Sequence, residues 1–138
     1  MAQLPKILGV KKVLGNLERN KVQLGLRLGL GLRLAGLRLQ RASMLVVPVD
    51  TGNLRASAFT RSKGIGYATR VTVGYTASYA MFVHEAVGMV LKGQARKGKG
   101  HKGSYWDPQG RAQAKFLEEP ARRMRPELRA IVRKFTHI

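Results

Sequence analysis

Leucines at 24, 26, 28, 30, 32 and 34 alternate strictly with glycine and arginine, which is the period of a β-strand. Composition argues the other way. Leucine and arginine are helix formers, no β-branched residue lies between Leu24 and Leu45, and a strand of that length would be long. Wound as a helix, the chain puts Leu14, Leu17, Leu24, Leu28, Ala35 and Leu39 near one stripe, with Gly25, Gly29 and Gly36 on the next. The pattern therefore favours a helical segment over 4–45. Glycine costs about 1 kcal/mol per position inside a helix, so the four between 25 and 36 need a reason. Close approach of another helix or subunit supplies one. Three short repeats run through the same stretch: Gly25-Leu26-Arg27-Leu28, Gly31-Leu32-Arg33-Leu34 and Gly36-Leu37-Arg38-Leu39. They are too short for solenoid units and read as patterning of helix faces.

Val46-Val47-Pro48-Val49-Asp50-Thr51-Gly52 should end this helix, because Pro48 cannot continue it and holds Val47 extended. Asp50, Thr51 and Gly52 supply turn chemistry, including a glycine free to take positive φ. Leu54–Ser62 and Tyr67–Tyr75 read as two strands joined through Lys63-Gly64-Ile65-Gly66, and Ser78–Ala86 as a short helix with Ser78 as N-cap. Between 88 and 110, glycines separate Lys92, Arg96, Lys97, Lys99 and Lys102, a composition that opposes compaction and predicts a mobile basic loop. Leu117, Ala121, Met124, Leu128, Val132 and Phe135 follow a helical stripe, with Arg122, Arg125, Arg129 and Arg133 off it. Glu118, Glu119 and Pro120 suit the start of that helix. Pro126 should kink it or split it in two. The expected fold is α+β in one domain over 1–138: a long N-terminal helix, a small antiparallel sheet built on a hairpin, a short middle helix, the basic loop and a C-terminal amphipathic helix.

Charge changes the picture more than any other total. Twenty-six Lys and Arg face seven Asp and Glu, for a net charge of +19 and a pI near 11.5. The cations occur in every part of the 138-residue chain, so a polyanionic partner or a neutralising assembly is expected. No cysteine is present, which excludes disulfides and thiolate chemistry. His84, His101 and His137 lack the spacing of metal ligands, so no cofactor or metal is expected. Arg27, Arg33 and Arg38 interrupt the leucine run, leaving no membrane span. Together with the lack of a secretory leader, this points to a cytosolic product.

The motifs that carry catalysis elsewhere fail here on context. Asp50-Thr51-Gly52 resembles an aspartic-protease turn, but helix rather than strand precedes it and no second supporting strand follows. His84-Glu85 has Gly88 where a zinc helix needs its second histidine. Lys97-Gly98-Lys99-Gly100 lacks the ending of a phosphate-binding loop. No enzyme activity and no small-molecule substrate are expected. Lys92, Arg96, Lys97, Lys99 and Lys102, beside Tyr105 and Trp106, suit either DNA phosphates or a neighbouring subunit.

The order of features matches a known pattern. Pro48-Val49-Asp50-Thr51-Gly52-Asn53-Leu54-Arg55-Ala56-Ser57 follows the long helix. A hairpin then ends at Val73-Gly74, with Tyr79-Ala80-Met81-Phe82-Val83-His84-Glu85 after it. Phe116-Leu117-Glu118-Glu119-Pro120-Ala121 opens the last helix. Over roughly residues 35 to 130 the chain resembles the small tail-component or neck (tail-completion) proteins of long-tailed bacteriophages. Two departures stand out: His84 before Glu85, and Lys115 where proline is usual. The resemblance implies a non-catalytic virion protein, made in the host cytoplasm, that forms a homo-oligomeric ring at the head–tail junction. Its implied partners are the connector and tail-tube proteins, with possible DNA contact in the channel. It also implies structural roles for Pro48, Asp50, Thr51, Gly52, Leu54, Tyr79, Ala80, Phe116, Leu117 and Pro120. A free basic nucleic-acid-binding protein is the alternative.

Overall fold

The computed structural model describes residues 9–49, 52–87 and 111–136. Its fold is α+β. The alternating leucines lie in α1, Val10–Val46, one helix of 37 residues and about 55 Å long at 1.5 Å per residue. Their strict alternation has a consequence on a helix that it would not have on a strand. Steps of two residues turn each leucine through about 200°, so leucines end up on every side of α1.

The turn after α1 sets up the hairpin. Gly52 takes φ +86°, and Asn53–Ala56 coil into a single helical turn, α2. A strand from Leu54 was expected; instead Ala56 N–H donates to the Gly52 carbonyl at 2.9 Å and the Ser57 hydroxyl to the Leu54 carbonyl at 2.7 Å. Those local bonds delay the first strand, β1, to Ala58–Lys63. The second, β2, is Arg70–Tyr75, and the two pair antiparallel from Ala58↔Tyr75 to Lys63↔Arg70. It too starts later than expected. Gly66–Ala68 form a 3-10 turn, closed by the Thr69 hydroxyl donating to the Gly66 carbonyl at 2.7 Å.

The middle helix, α3, is Ala80–Glu85, shorter than expected; Tyr79, not Ser78, stands at its N-cap, without a side-chain hydrogen bond. The C-terminal helix is split, as Pro126 requires. α4, Glu118–Arg123, ends at Met124, and α5, Arg125–Thr136, begins with Pro126 in its first turn, where a missing N–H does no harm.

The hairpin and α5 both pack on α1, and the α1 glycines let them approach. A Cβ on Gly25 would meet Gly66 Cα at 3.1 Å, and one on Gly36 would meet Val71 Cγ1 at 2.7 Å. The close neighbour on this stripe is thus the chain's own hairpin rather than another helix or subunit. Gly31 instead faces α5, where a Cβ would meet Phe135 Cβ at 3.1 Å and Val132 Cα at 3.3 Å. Each repeat therefore contributes one buried glycine (Gly25, Gly31, Gly36), while Arg27, Arg33 and Arg38 stay exposed. Between α1, β2 and α5 runs an open apolar groove of about 650 Å³, floored by Leu28, Leu32, Leu39, Val71, Val73 and Val132.

Candidate functional site

Three segments far apart in sequence converge at the C-terminal end of α1. Val47, Leu54, Ala80 and Phe116 form one buried cluster, with Val46, Tyr75, Ala77, Val83 and Leu117 against it. Pro48 is buried beside them, and Phe116 and Pro120 are among the most completely enclosed side chains. Residues from all three expected motif segments thus share one core. Gly52 adopts the positive φ expected of it. Tyr79 departs from the set and is 45% exposed. Asp50 and Thr51 lie outside the described residues, as do Lys92, Arg96, Lys97, Lys99 and Lys102.

Polar contacts lock this core in one arrangement. Ser43, fully buried in α1, meets the Tyr75 hydroxyl at 2.6 Å. Burial pushes the Tyr75 phenol above its ordinary 10.0, against the lowering effect of the Ser43 hydrogen bond. Tyr75 and His84 each set a ring edge against Phe116 at 5.0 Å between centroids. Further along α1, the Thr60 hydroxyl donates to Gln40 Oε1 at 2.7 Å. Sequence reasoning missed Ser43, although a small polar residue seven positions after Gly36 on an otherwise apolar stripe was a usable signal.

The two departures from the motif pattern meet in space. Lys115 N–H donates to the His84 carbonyl at 2.8 Å, and its ammonium binds Glu85 and, at 3.4 Å, Glu118. Glu118 also takes Arg122 at 2.6 Å, and His84 Nδ1 lies 2.8 Å from Glu85. Hydrogen bonds from Lys115 and then His84 hold the Glu85 carboxyl below its usual range, and Glu85 in turn raises Lys115. Lys115 sits at φ +55°, far from the φ near −65° that a proline ring imposes. A proline at 115 is therefore incompatible with this backbone, and the lysine uses the turn to clamp α3 to α4.

Two cationic surfaces lie outside the core. The outward face of the hairpin carries Phe59, Arg61, Lys63 and Arg70, since Thr60, Val71 and Val73 face α1. There the Arg61 guanidinium rests 4.8 Å from the centre of the Phe59 ring. On α5, Arg125, Arg129 and Arg133 form an exposed row four residues apart. Among the described residues, carboxylates reach only Arg38, Lys115, Arg122 and His84. Also among them, no group of three His, Cys, Asp or Glu could hold a metal, and no helix is long and apolar enough to cross a membrane.

Fold and surface together define a small basic α+β module with a closed core at one end of a long helix and uncovered apolar and cationic faces along it. Comparisons with protein-family models, with curated proteins and with solved structures return no match.

Proposed function

We propose that this chain is a structural, non-enzymatic subunit of the neck of a tailed bacteriophage, forming a ring that joins or completes the tail. The observation that carries the reading is the joint burial of residues from the motif segments: Val47, Leu54, Ala80 and Phe116 form one core, and Pro48 and Pro120 are buried as well. That is what structural motifs in a small assembly subunit should do. α1 supports the oligomer. Large apolar side chains left uncovered in number along one helix mark a surface for a partner, and Leu26, Leu30, Leu34, Leu37 and Leu45 of α1 are about half exposed. So are Val10, Val13, Leu14 and Leu17, which continue the inward stripe beyond Leu24. The two-stranded sheet adds unpaired edges among the described residues.

Light scattering and electron microscopy of the purified full chain test the oligomer. A closed ring, and a gene placed beside those for a connector and a tail tube, are expected. A stable monomer that grips duplex DNA tightly would overturn the reading in favour of a free nucleic-acid-binding protein.

A further inference from the structure

We infer that the arginine row of α5 (Arg125, Arg129, Arg133) is a contact surface for the phosphate backbone of a nucleic acid. The row stands four residues per step on one face of a 12-residue helix, a rise of about 6 Å each and about 12 Å in all. Each strand of duplex DNA offers about one phosphate charge per 3.4 Å of axis, so a strand laid along the helix can serve every guanidinium. All three arginines are exposed, and none meets a carboxylate among the described residues. Glu127, the one acid within α5, sits on another face and is held by Arg38 at 2.8 Å. Like charges at i,i+4 oppose helix formation, and a polyanion along the row removes that opposition.

The row stands on a closely packed contact. Val132 and Phe135 approach Gly31 of α1 so that a methyl there would lie 3.1 Å from Phe135 Cβ and 3.3 Å from Val132 Cα, tighter than ordinary van der Waals contact. Arg129 and Arg133 form a rim of the apolar groove on whose floor Val132 lies, where their aliphatic stems can rest. Little side-chain freedom is then lost when their heads meet phosphates.

An acidic protein surface is the other polyanion to weigh, and the surroundings of the row disfavour it. Protein interfaces centre on aromatic or large aliphatic anchors. On the side of the row away from the groove, the exposed positions of α5 are Pro126, Ala130 and Lys134. That side offers no large apolar anchor, and Lys134 adds a cation for a backbone lying along the helix.

The inference goes beyond the neck reading, since it names the face that meets DNA, and it stands or falls on the full chain in solution. The test measures binding of a short mixed-sequence duplex between about 50 and 200 mM salt. R125Q/R129Q/R133Q is compared with the charge-matched control K11Q/K12Q/K21Q. Three lost phosphate contacts should flatten the slope of log K against log salt by about 2.7 and weaken binding at low salt by more than about tenfold. R129Q alone should flatten it by about 0.9, which keeps the test open if the triple variant misfolds. R125K/R129K/R133K should keep the slope. Equal losses in the control would overturn the inference, because net charge would then suffice. Native-like duplex binding by the arginine variant would also overturn it, and loss of poly-L-glutamate binding alone would assign the row to an acidic protein. A ring that ignores DNA defeats this inference and spares the neck reading; a DNA-binding monomer does the reverse.

Discussion

Ser43 and Tyr75 show how much rests on one pair of hydroxyls. Ser43 is buried with no exposed surface, and the Tyr75 hydroxyl 2.6 Å away is the partner that makes its burial tolerable. Ser43→Ala should cost about 1–2 kcal/mol, because it strands the phenol. Adding Tyr75→Phe should restore part of that, as read by denaturant unfolding of the two single variants and the double. The alkaline side gives a second reading. Because folding raises the Tyr75 pKa above 10.0, its contribution is complete below pH 10 and lost as pH rises through the folded value. Stability should therefore fall above about pH 10, and less steeply in Tyr75→Phe. Glycines give a contrast at the same scale. Gly36→Ala drives a methyl to 2.7 Å from Val71 Cγ1, whereas at Gly15 nothing lies within 4 Å. Gly36→Ala should destabilise by about 1–2 kcal/mol, overpacking outweighing propensity. Gly15→Ala should slow amide exchange in its own turn, stabilising it by up to about 1 kcal/mol.

Three of the helices are short and depend on what clamps them. α2 has four residues, α3 six and α4 six, too few to persist alone in water. α3 and α4 are tied by Lys115, which bridges the chain positions of Glu85 and Glu118. Glu85 carries a lowered pKa, so its share of this clamp is present above its ordinary 4.5 and lost as pH falls through the folded value. The protection factor of the Lys115 amide, whose N–H is bonded to His84, should drop in acid below that range. In Glu85→Gln it should be low already at neutral pH and vary little with pH. Lys115→Pro should open the clamp altogether, since φ +55° is closed to proline.

For the whole molecule, the governing fact is that α1 presents leucine on more sides than the described residues cover. Substituting the outward leucines tests what that surplus is for. Leu26→Gln, Leu30→Gln and Leu37→Gln together should leave the unfolding midpoint of the single chain within about 0.5 kcal/mol of native per site, because these side chains are already about half exposed. The same variant should lose the oligomer in light scattering. An inward change such as Leu32→Ala should do the opposite, costing about 1 kcal/mol through its half-buried place in the groove between α1 and α5. Unchanged assembly in the outward variant would place the subunit contacts elsewhere. The charge of +19 acts at this scale too, and moderate salt should favour assembly by screening repulsion between copies.

Some of this was legible in the chain alone. Leucine and arginine without β-branched residues meant helix over strand for 24–34. Pro48 ended α1, Gly52 took positive φ, Pro126 divided the last helix, and the period of Leu117 to Phe135 marked its buried face. These are local matters, decided by what one residue does to its own backbone or by a period of a few residues. The positions of β1 and β2 were less legible, because the turns at Asn53–Ala56 and Gly66–Ala68 rest on side-chain bonds from Ser57 and Thr69 that compete with extended pairing. Other features needed the tertiary structure. Gly25, Gly29 and Gly36 announced a close neighbour, but only packing showed that it is the hairpin, while Gly31 takes α5. Likewise nothing in the spacing joins Ser43 to Tyr75, or Lys115 to Glu85, across 30 residues or more. Sequence period governs which face of a helix is apolar; which surface covers that face, and which side is left bare for a partner, is settled by contacts between segments distant along the chain.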